Sequence, residues 1–580
     1  MTAARIGNCS GYYGDRLSAM REMLELAEID YLTGDYLAEL TMLILGRDQM
    51  KDPSLGYAKT FVRQMTDCMA LAQAKGVRII ANAGGLNPAG LADRLREIAT
   101  EQGLQIAIAH VDGDDLRVRA GELEFGEVLT ANAYLGAFGI AEALRAGADV
   151  VVTGRVTDAS VVVGPAIAHH GWGREDFDAL AGAVIAGHVI ECGTQATGGN
   201  FSGFRTFDTL QPLGFPIAEI AADGSTVVTK PAGTGGTVTV DTVTAQLLYE
   251  VQGPVYLNPD VAVRLDTMSL TQADDDRVLI SGVTGTAPPV TAKVCLNTLG
   301  GFRNSVEFVL TGLDIPAKAA WITAQMEAAI DPAATVEWHL DRIDVLDPAT
   351  QAQATSILRC DVRSAQPDPV GRAFSDAAVQ VALASYPGFT VTRPPAAGTP
   401  VGVYRPGYVP QTEVPHVVHH ADGTTTDIAP PTVVADPVSD TFRPASASKA
   451  RQDVPFSGNR AALGEVVYAR SGDKGGDANV GVWIPAGHPN RDAAVEWLLA
   501  LLDDAVVRDL LPEAAELDID IHPLPNLGGV NIVIHGLLGE GVASSTRFDP
   551  QAKALGEWLR ARFVDIPSDI LGGAEGEVLS

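Results

Sequence analysis

Apolar positions change their period along the chain, and the changes divide it. Through the first third, short apolar runs alternate with stretches of helical spacing. Arg5–Asn8, Ile29–Leu32, Val77–Ala81, Leu104–His110 and Val150–Thr153 read as strands. Between them, Leu17, Met20, Met23, Leu24 and Ala27 recur at helical spacing behind Asp15, a suitable cap. Further helices are expected around Leu37–Arg47, Leu55–Ala74, Pro88–Thr100 and Leu135–Arg145. Strands that alternate with helices predict a mainly parallel sheet under helical cover.

The middle is less regular. Glu175–Glu191 reads as a helix that runs into a Gly/Thr/Asn-rich stretch, Cys192–Asn200. Ser225–Lys230 and Val238–Val243 read as strand or strand-entry segments, Val278–Val283, Val290–Leu296 and Ser305–Leu310 as strands of a β-rich subregion, and Val336–Val345 and Ser356–Val362 as further strands, with helices at Ala317–Ala329 and Asp376–Ala384. From Ala421 to Phe456 the chain is rich in Pro, Ser, Thr, Ala and Asp, a composition that favours extended linker. Beyond it, strands near Leu463–Ala469, Asn479–Ile484, Leu517–Pro523 and Val530–Ile534 mix with helices near Arg491–Leu502, Ala505–Leu511 and Gln551–Phe563. The expected fold class is α/β: a large N-terminal domain over 1–420 with a mainly parallel sheet and a β-rich subregion, a Pro-rich linker over 421–456, and a smaller α+β domain over 457–580.

Candidate chemistry gathers where the first five strands end. Those ends carry Asn8 and Ser10, Gly34 and Asp35, Asn82 and Gly84, Asp112, then Gly154, Arg155 and Asp158. Parallel sheets bind ligands outside the carboxyl ends of their strands, where small residues admit a ligand to the backbone. Turn formation explains any one such end, but five in succession less well. A second candidate follows the long helix, where Glu191 precedes Thr194, Thr197 and Asn200: a carboxylate there suits a general base, and Asn200 suits a donor to a developing oxyanion. The third is Arg470–Asn479, read as a loop between two strands, with Arg470 and Lys474 set among glycines that open the backbone to an anion.

Composition narrows the partners. The 580 residues carry a formal charge of −31. A field of that sign opposes nucleic acid and anionic membrane surfaces, so neither is expected as a partner. No apolar run approaches the roughly 18 residues of a membrane span. The 5 cysteines are scattered, with no CxxC pair, which speaks against a disulfide framework and a structural zinc site. A cytoplasmic protein is the simplest expectation. Neither G-x-G-x-x-G nor a P-loop occurs at Gly84–Pro88 or Gly233–Gly236, so no nucleotide cofactor is expected. His416, His419, His420 and Asp422 are the one cluster that suits a divalent metal, although an exposed polar strand end or turn is the simpler account of it.

Several ungapped blocks resemble the acyclic terpene utilisation protein family, AtuA. They are Gly34–Glu39, Asn82–Pro88, Thr153–Ser160, Glu191–Phe201, Tyr256–Asp260 and Arg470–Asn479. The resemblance implies a large N-terminal domain, a smaller ferredoxin-like C-terminal domain, and a place in the catabolism of citronellol, geraniol and related branched acids through CoA thioesters. It assigns no catalytic residue. On this basis two functions are open. The first is an enzyme of lyase or hydratase type acting on a small anionic substrate, a carboxylated acyl-CoA or its free acid, by hydration, dehydration or C–C lysis. It would use Asp35, Asp158 or Glu191 as base, and Arg155 as anchor of a carboxylate or phosphate. Ser10, Asn82, Gly84 and Asn200 would be polar and backbone contacts, and Arg470 and Lys474 further binding residues. No cofactor is expected, a divalent metal being the one candidate, and a homo-oligomer is expected. The second is a non-catalytic scaffold or partner subunit of a pathway acyl-CoA carboxylase or dehydrogenase, with Arg470–Asn479 as its contact.

The linker reading has a direct consequence. Limited proteolysis followed by mass spectrometry is expected to cut first within Ala421–Phe456 and release a C-terminal fragment of about 125 residues, the size of one domain. First cuts inside Arg5–Asn200 would place the boundary wrongly.

Overall fold

A computed structural model describes residues 2–435 and 459–571. Its centre is an eleven-stranded sheet. Five strands run parallel: β1 (Ala4–Asn8), β2 (Tyr31–Gly34), β3 (Arg78–Ala81), β4 (Ile108–Asp112) and β5 (Val150–Thr153). Their spatial order is β1-β2-β3-β5-β4. Antiparallel strands extend both sides. Next to β1 come β6 (Ile217–Ile220) and β7 (Thr226–Thr229), followed by the hairpin of β8 (Ser269–Asp274) and β9 (Arg277–Ser281). Next to β4 lies the hairpin of β10 (Val417–His419) and β11 (Thr425–Asp427).

Helices cover both faces of the parallel strands, which is why these read as unbroken apolar runs. Ile79, Val150 and Val152 pack with the helices Ala19–Leu26, Lys59–Lys75 and Pro88–Glu101. Ile80 and Val151, one residue out of phase, pack with Phe138–Arg145, Ser160–His170 and Phe177–Ile190. Asn87 caps the helix that begins at Pro88, its Oδ1 accepting from the Gly90 amide at 2.9 Å.

The C-terminal segment forms a four-stranded antiparallel sheet of Tyr468–Lys474, Asp477–Trp483, Gly529–Ile534 and Ile519–Leu524, in that spatial order. Both faces are buried. Ala478, Val480, Val482, Ile532 and Ile534 pack with Leu498, Leu510 and Leu559 of the helices. The alternate residues meet the chain at Leu248–Val251. Asn479 Nδ2 donates to the Leu248 carbonyl at 2.8 Å and Asn531 Nδ2 to the Val251 carbonyl at 3.0 Å. Close approach requires glycine here: a Cβ on Gly481 would stand 2.3 Å from the Leu248 Cβ, and one on Gly472 2.3 Å from the Tyr249 ring.

Two compact units emerge from the fold. One comprises Met1–Asn297, Tyr404–Val542 and Gln551–Ser580, as far as these are described, and the other Thr298–Val403 with Ala543–Pro550. The second is β-rich. In it, the distal part of the strand Thr291–Thr311 pairs with Thr355–Ser364, which pairs with Thr335–Leu340. The helices Ile315–Ala329 and Arg372–Gln380 close its core through Ile322, Met326, Phe374 and Ala377.

Three sequence expectations are revised. Val238–Val243 is no strand; the helix Val240–Leu247 starts there, because Thr239 and Thr242 form a reciprocal capping box that outweighs the β-branched composition. Arg470–Asn479 is no loop. It is the two paired strands themselves, joined at Gly475-Gly476, with Gly475 at φ +68°. Thr425–Asp427, inside the Pro-rich stretch, is the sheet strand β11, while residues 436–456 lie outside the described residues. Among the described residues no helix is long and apolar enough to cross a membrane.

Gly84 shows how tightly the strand ends are packed. A Cβ there would lie 2.5 Å from the Thr153 carbonyl oxygen and 2.8 Å from the Pro88 Cα. Gly84→Ala is expected to destabilise the protein by about 1–3 kcal/mol, read as a lower urea midpoint, with the helix content of the folded state unchanged.

Candidate functional site

The five parallel strands deliver polar side chains to one edge. Asn8, at the end of β1, donates from Nδ2 to the carbonyls of Ile190 and Glu191 at 2.6 and 2.8 Å, which fixes the end of the long helix over the sheet. Asn82, just after β3, donates to Asp35 Oδ1 at 2.6 Å and accepts from the Tyr36 amide at 2.8 Å. Ser10 lies beneath, its carbonyl accepting from the Asp35 amide at 2.9 Å. After β5, Arg155 is buried at 1% exposure. Its amide donates to Asp114 at 2.8 Å, and its guanidinium donates to the Leu37 carbonyl at 2.8 Å. The same guanidinium pairs with Asp158 at 3.0 Å and lies 4.4 Å from the centre of the Tyr134 ring.

These contacts bring Asp35, Asp158 and Glu191 together: one carboxylate oxygen from each lies within 4.8 Å of the others. Burial, and then the neighbouring Asp158 and Glu191 charges, push the Asp35 carboxyl well above the usual range. Glu191 is raised by burial and by Asp158 and Glu250. Asp158 is raised by burial, against which Arg155 and Lys474 act. Glu39 behaves oppositely. Burial disfavours its charge, but Lys293, Arg155 and Lys474 outweigh it and hold the carboxyl at about 2. Tyr134 donates to Glu39 at 2.8 Å, and Lys293 stands 3.7 Å away. His188 Nδ1 is 3.4 Å from Glu191, and burial followed by Lys474 lowers the imidazole to about 4, so it is neutral.

The C-terminal hairpin supplies the remaining cations. Lys474 lies in the field of Tyr256, Glu250, Glu39 and Asp158, which overcome its burial and keep the ammonium charged. Arg470, 3% exposed, stacks 4.2 Å from the centre of the Tyr249 ring and donates to the Asn200 carbonyl at 3.0 Å.

Of the residues expected from sequence, Asp35, Asn82, Arg155, Asp158 and Glu191 converge, with Ser10 and Gly84 in the supporting backbone. Arg470 and Lys474 approach from the hairpin. Asn200 does not serve as a side-chain donor: it is exposed, held at φ +55°, and contributes its carbonyl to Arg470. The histidine cluster also separates. His416 is half-buried beside Arg174, and His420 bonds Thr426 at 2.8 Å. Sequence reasoning missed Glu39, Tyr134, His188, Glu250 and Lys293. Glu39 alone had a signal, since it ends the block Gly34–Glu39.

The family model for the acyclic terpene utilisation family protein AtuA matches residues 4–420, and that for the AtuA ferredoxin-like domain matches 461–565. The chain belongs to the AtuA family. No curated protein and no solved structure matches it. The second AtuA match spans the hairpin that carries Arg470 and Lys474, so both matched regions of this AtuA protein contribute to the site.

The raised carboxyls carry a sign for stability. In the folded state the pair Asp35 and Glu191 keeps protons that the unfolded chain loses above a pH of about 4. Its contribution is fully present below that value and is lost as pH rises through the folded-state pKa values of Asp35 and Glu191. Glu191→Gln is therefore expected to flatten the decline of the urea midpoint with rising pH. An unchanged slope would mean that Glu191 titrates normally.

Proposed function

We propose that this AtuA protein is an enzyme of the hydratase or lyase type acting on a carboxylated acyl-CoA thioester or its free acid. The observation that carries this reading is the buried set of ionisable groups whose environments drive their pKa values apart: Glu39 is held at about 2 while Asp35 and Glu191 are raised. Burying so many charges opposes folding, and strongly perturbed groups in one place mark functional sites. A scaffold gives no reason for them.

In this reading Glu191 and Asp35 carry protons to and from the substrate. Asp158, whose rise through burial is opposed by Arg155 and Lys474, is the member of the triad placed to act as the base. For a dehydration, Asp158 takes the proton α to the carbonyl, and a protonated Glu191 gives its proton to the departing hydroxyl, which leaves as water. Hydration is the reverse. The Arg155 guanidinium is already engaged by Leu37, Asp158 and Tyr134, so it acts as a positioning residue and Lys474 is the cation offered to the substrate anion. No step needs a redox cofactor. We also read 1–420 and 457–580 as domains joined by 421–456, a division supported by the limits of the two family matches.

The test is incubation of the pure protein with CoA thioesters of carboxylated branched acids, and with the free acids, followed by mass spectrometry. Gain or loss of water, or cleavage of a carbon–carbon bond into two fragments with any thioester retained on one of them, is expected. Glu191→Gln and Lys474→Met are expected to slow it by about 10²–10⁴-fold. Turnover that both variants retain in full would remove the proposed roles. A wild-type protein that leaves every compound unchanged would remove the activity.

A further inference from the structure

Beside the carboxylate triad, the polar groups around Glu39 hold more cations than acceptors. Glu39 opens the helix Glu39–Lys51, Lys293 lies on the strand Thr291–Thr311, and Lys474 ends the hairpin strand Tyr468–Lys474. Lys293, Arg155 and Lys474 all act on this one carboxylate. Arg155 also has Asp158 at 3.0 Å and the Leu37 carbonyl at 2.8 Å. The two ammonium groups have less. Lys293 Nζ stands 3.7 Å from Glu39 Oε1, beyond a good hydrogen bond, and that oxygen already accepts from the Tyr134 hydroxyl at 2.8 Å. Among the described residues Lys474 makes no ion pair or hydrogen bond through Nζ; Tyr256, Glu250, Glu39 and Asp158 act on it from a distance. The Tyr404 hydroxyl is buried without a hydrogen-bond partner, and Glu39 is the charge that acts on it most. Lys293 Nζ lies 5.0 Å from the centre of the Tyr134 ring and 5.7 Å from that of Tyr404, within cation–π reach of both. Tyr404 also packs on the turn after Lys474, where a Cβ on Gly475 would stand 2.6 Å from its ring.

We propose that Lys293 and Lys474 bind a free carboxylate of the substrate, with the Tyr404 hydroxyl as a third donor. The assignment rests on the reading of this site as one that takes a carboxylated acid, and it narrows the substrate to a dicarboxylic acid or its monothioester. A carboxylate has two oxygens and about four lone-pair sites, enough for two ammonium groups and a hydroxyl. With Arg155 taken by Asp158, two ammonium charges less the one on Glu39 leave a single positive charge. A carboxylate matches it, whereas a phosphate monoester carries about 1.5 to 2 negative charges at neutral pH. Burial works against the Lys293 ammonium; Glu39 supports it and Lys474 opposes it, so a second anion relieves the strain between the two cations. The Glu39 and Lys293 side chains are 25% and 28% exposed, so the cluster opens to solvent on one side. On the other, Leu37, Met42, Leu45 and Leu86 pack with Tyr134 and Tyr404 and keep water away, which strengthens the attraction.

The test is calorimetric titration of the full-length protein with glutaryl-CoA and butyryl-CoA, which differ by one terminal carboxylate, and with glutarate and butyrate as the free-acid pair. The carboxylated member of at least one pair is expected to bind about tenfold or more tightly. Lys293→Met and Lys474→Met should each abolish that preference, and Tyr404→Phe should reduce it. Lys293→Arg, which keeps the charge, should retain part of it, so loss of the carboxylate contact is told apart from a failure to fold. Lys59→Met, whose ammonium pairs with Asp48 at the surface, should leave it unchanged. CoA alone, whose phosphates are the other anions on offer, should bind wild type and Lys293→Met alike. Equal affinity within both pairs, a preference that survives both Lys→Met variants, or a loss of CoA affinity in Lys293→Met as large as the loss for glutaryl-CoA would each overturn the assignment. A wild type that prefers the carboxylated member through these lysines but transforms neither compound keeps the binding site and removes the reaction.

Discussion

A guanidinium removed from water needs acceptors and a counter-charge, and Arg155 imposes that demand on the centre of the molecule. The guanidinium meets the Leu37 carbonyl after β2, the Tyr134 ring, and Asp158 one turn further on, while the backbone amide of the same residue donates to Asp114 after β4. Leaving one charge of such a buried pair without the other typically costs about 3–5 kcal/mol. The strand ends are therefore held to one another by charge as well as by the sheet. Gly154 belongs to the same constraint: a Cβ there would sit 2.1 Å from Asp114 Oδ1, so the carboxylate reaches the Arg155 amide only past a glycine.

The chain as a whole carries −31, yet at this site cations and carboxylates are matched closely. Arg155, Lys293 and Lys474 all act on Glu39 and hold it ionised. At Asp35 and Glu191 burial, with the Asp158 charge added to it, outweighs the same kind of compensation, so their carboxyls are raised. Similar side chains thus divide into one permanent anion and a proton-carrying set through position alone.

The parallel strands and their ends were legible because buried β-branched runs broken by Gly, Asn and Asp have few other readings. Asp35, Asn82, Arg155 and Asp158 followed from that topology without any contact being known. What lay beyond reach depended on tertiary partners. Thr130–Ala133 is a strand only because Val294–Asn297 pairs with it, and it carries the chain to Tyr134. The Arg470–Asn479 hairpin resembled a loop because its glycines and charges are poor strand formers, while the register that accommodates them is set by Tyr249 and Leu248. His419 looked like one member of a local cluster, but the strand pairing that turns it toward His110 is with a segment some three hundred residues earlier.

The C-terminal sheet bears on chemistry through the same pairing that folds it. Lys474 and Asp477 are the last pair of the hairpin before its two-glycine turn, so the position of the ammonium follows from the register of the whole ladder. That ladder is held to the rest of its unit by Asn479 and Asn531, which bond each other at 2.6 Å and donate to the Leu248 and Val251 carbonyls. Two buried amides that satisfy backbone carbonyls at the end of a helix fix a sheet more sharply than apolar contact alone, because any shift would leave the carbonyls unpaired. The charge on Lys474 in turn depends on Glu39, Asp158, Glu250 and Tyr256, none of which belongs to the C-terminal segment. Docking of the sheet and the electrostatic state of the carboxylates are consequently one equilibrium: a substitution that loosens Asn479 or Asn531 acts on Glu39 and Asp158 without touching them.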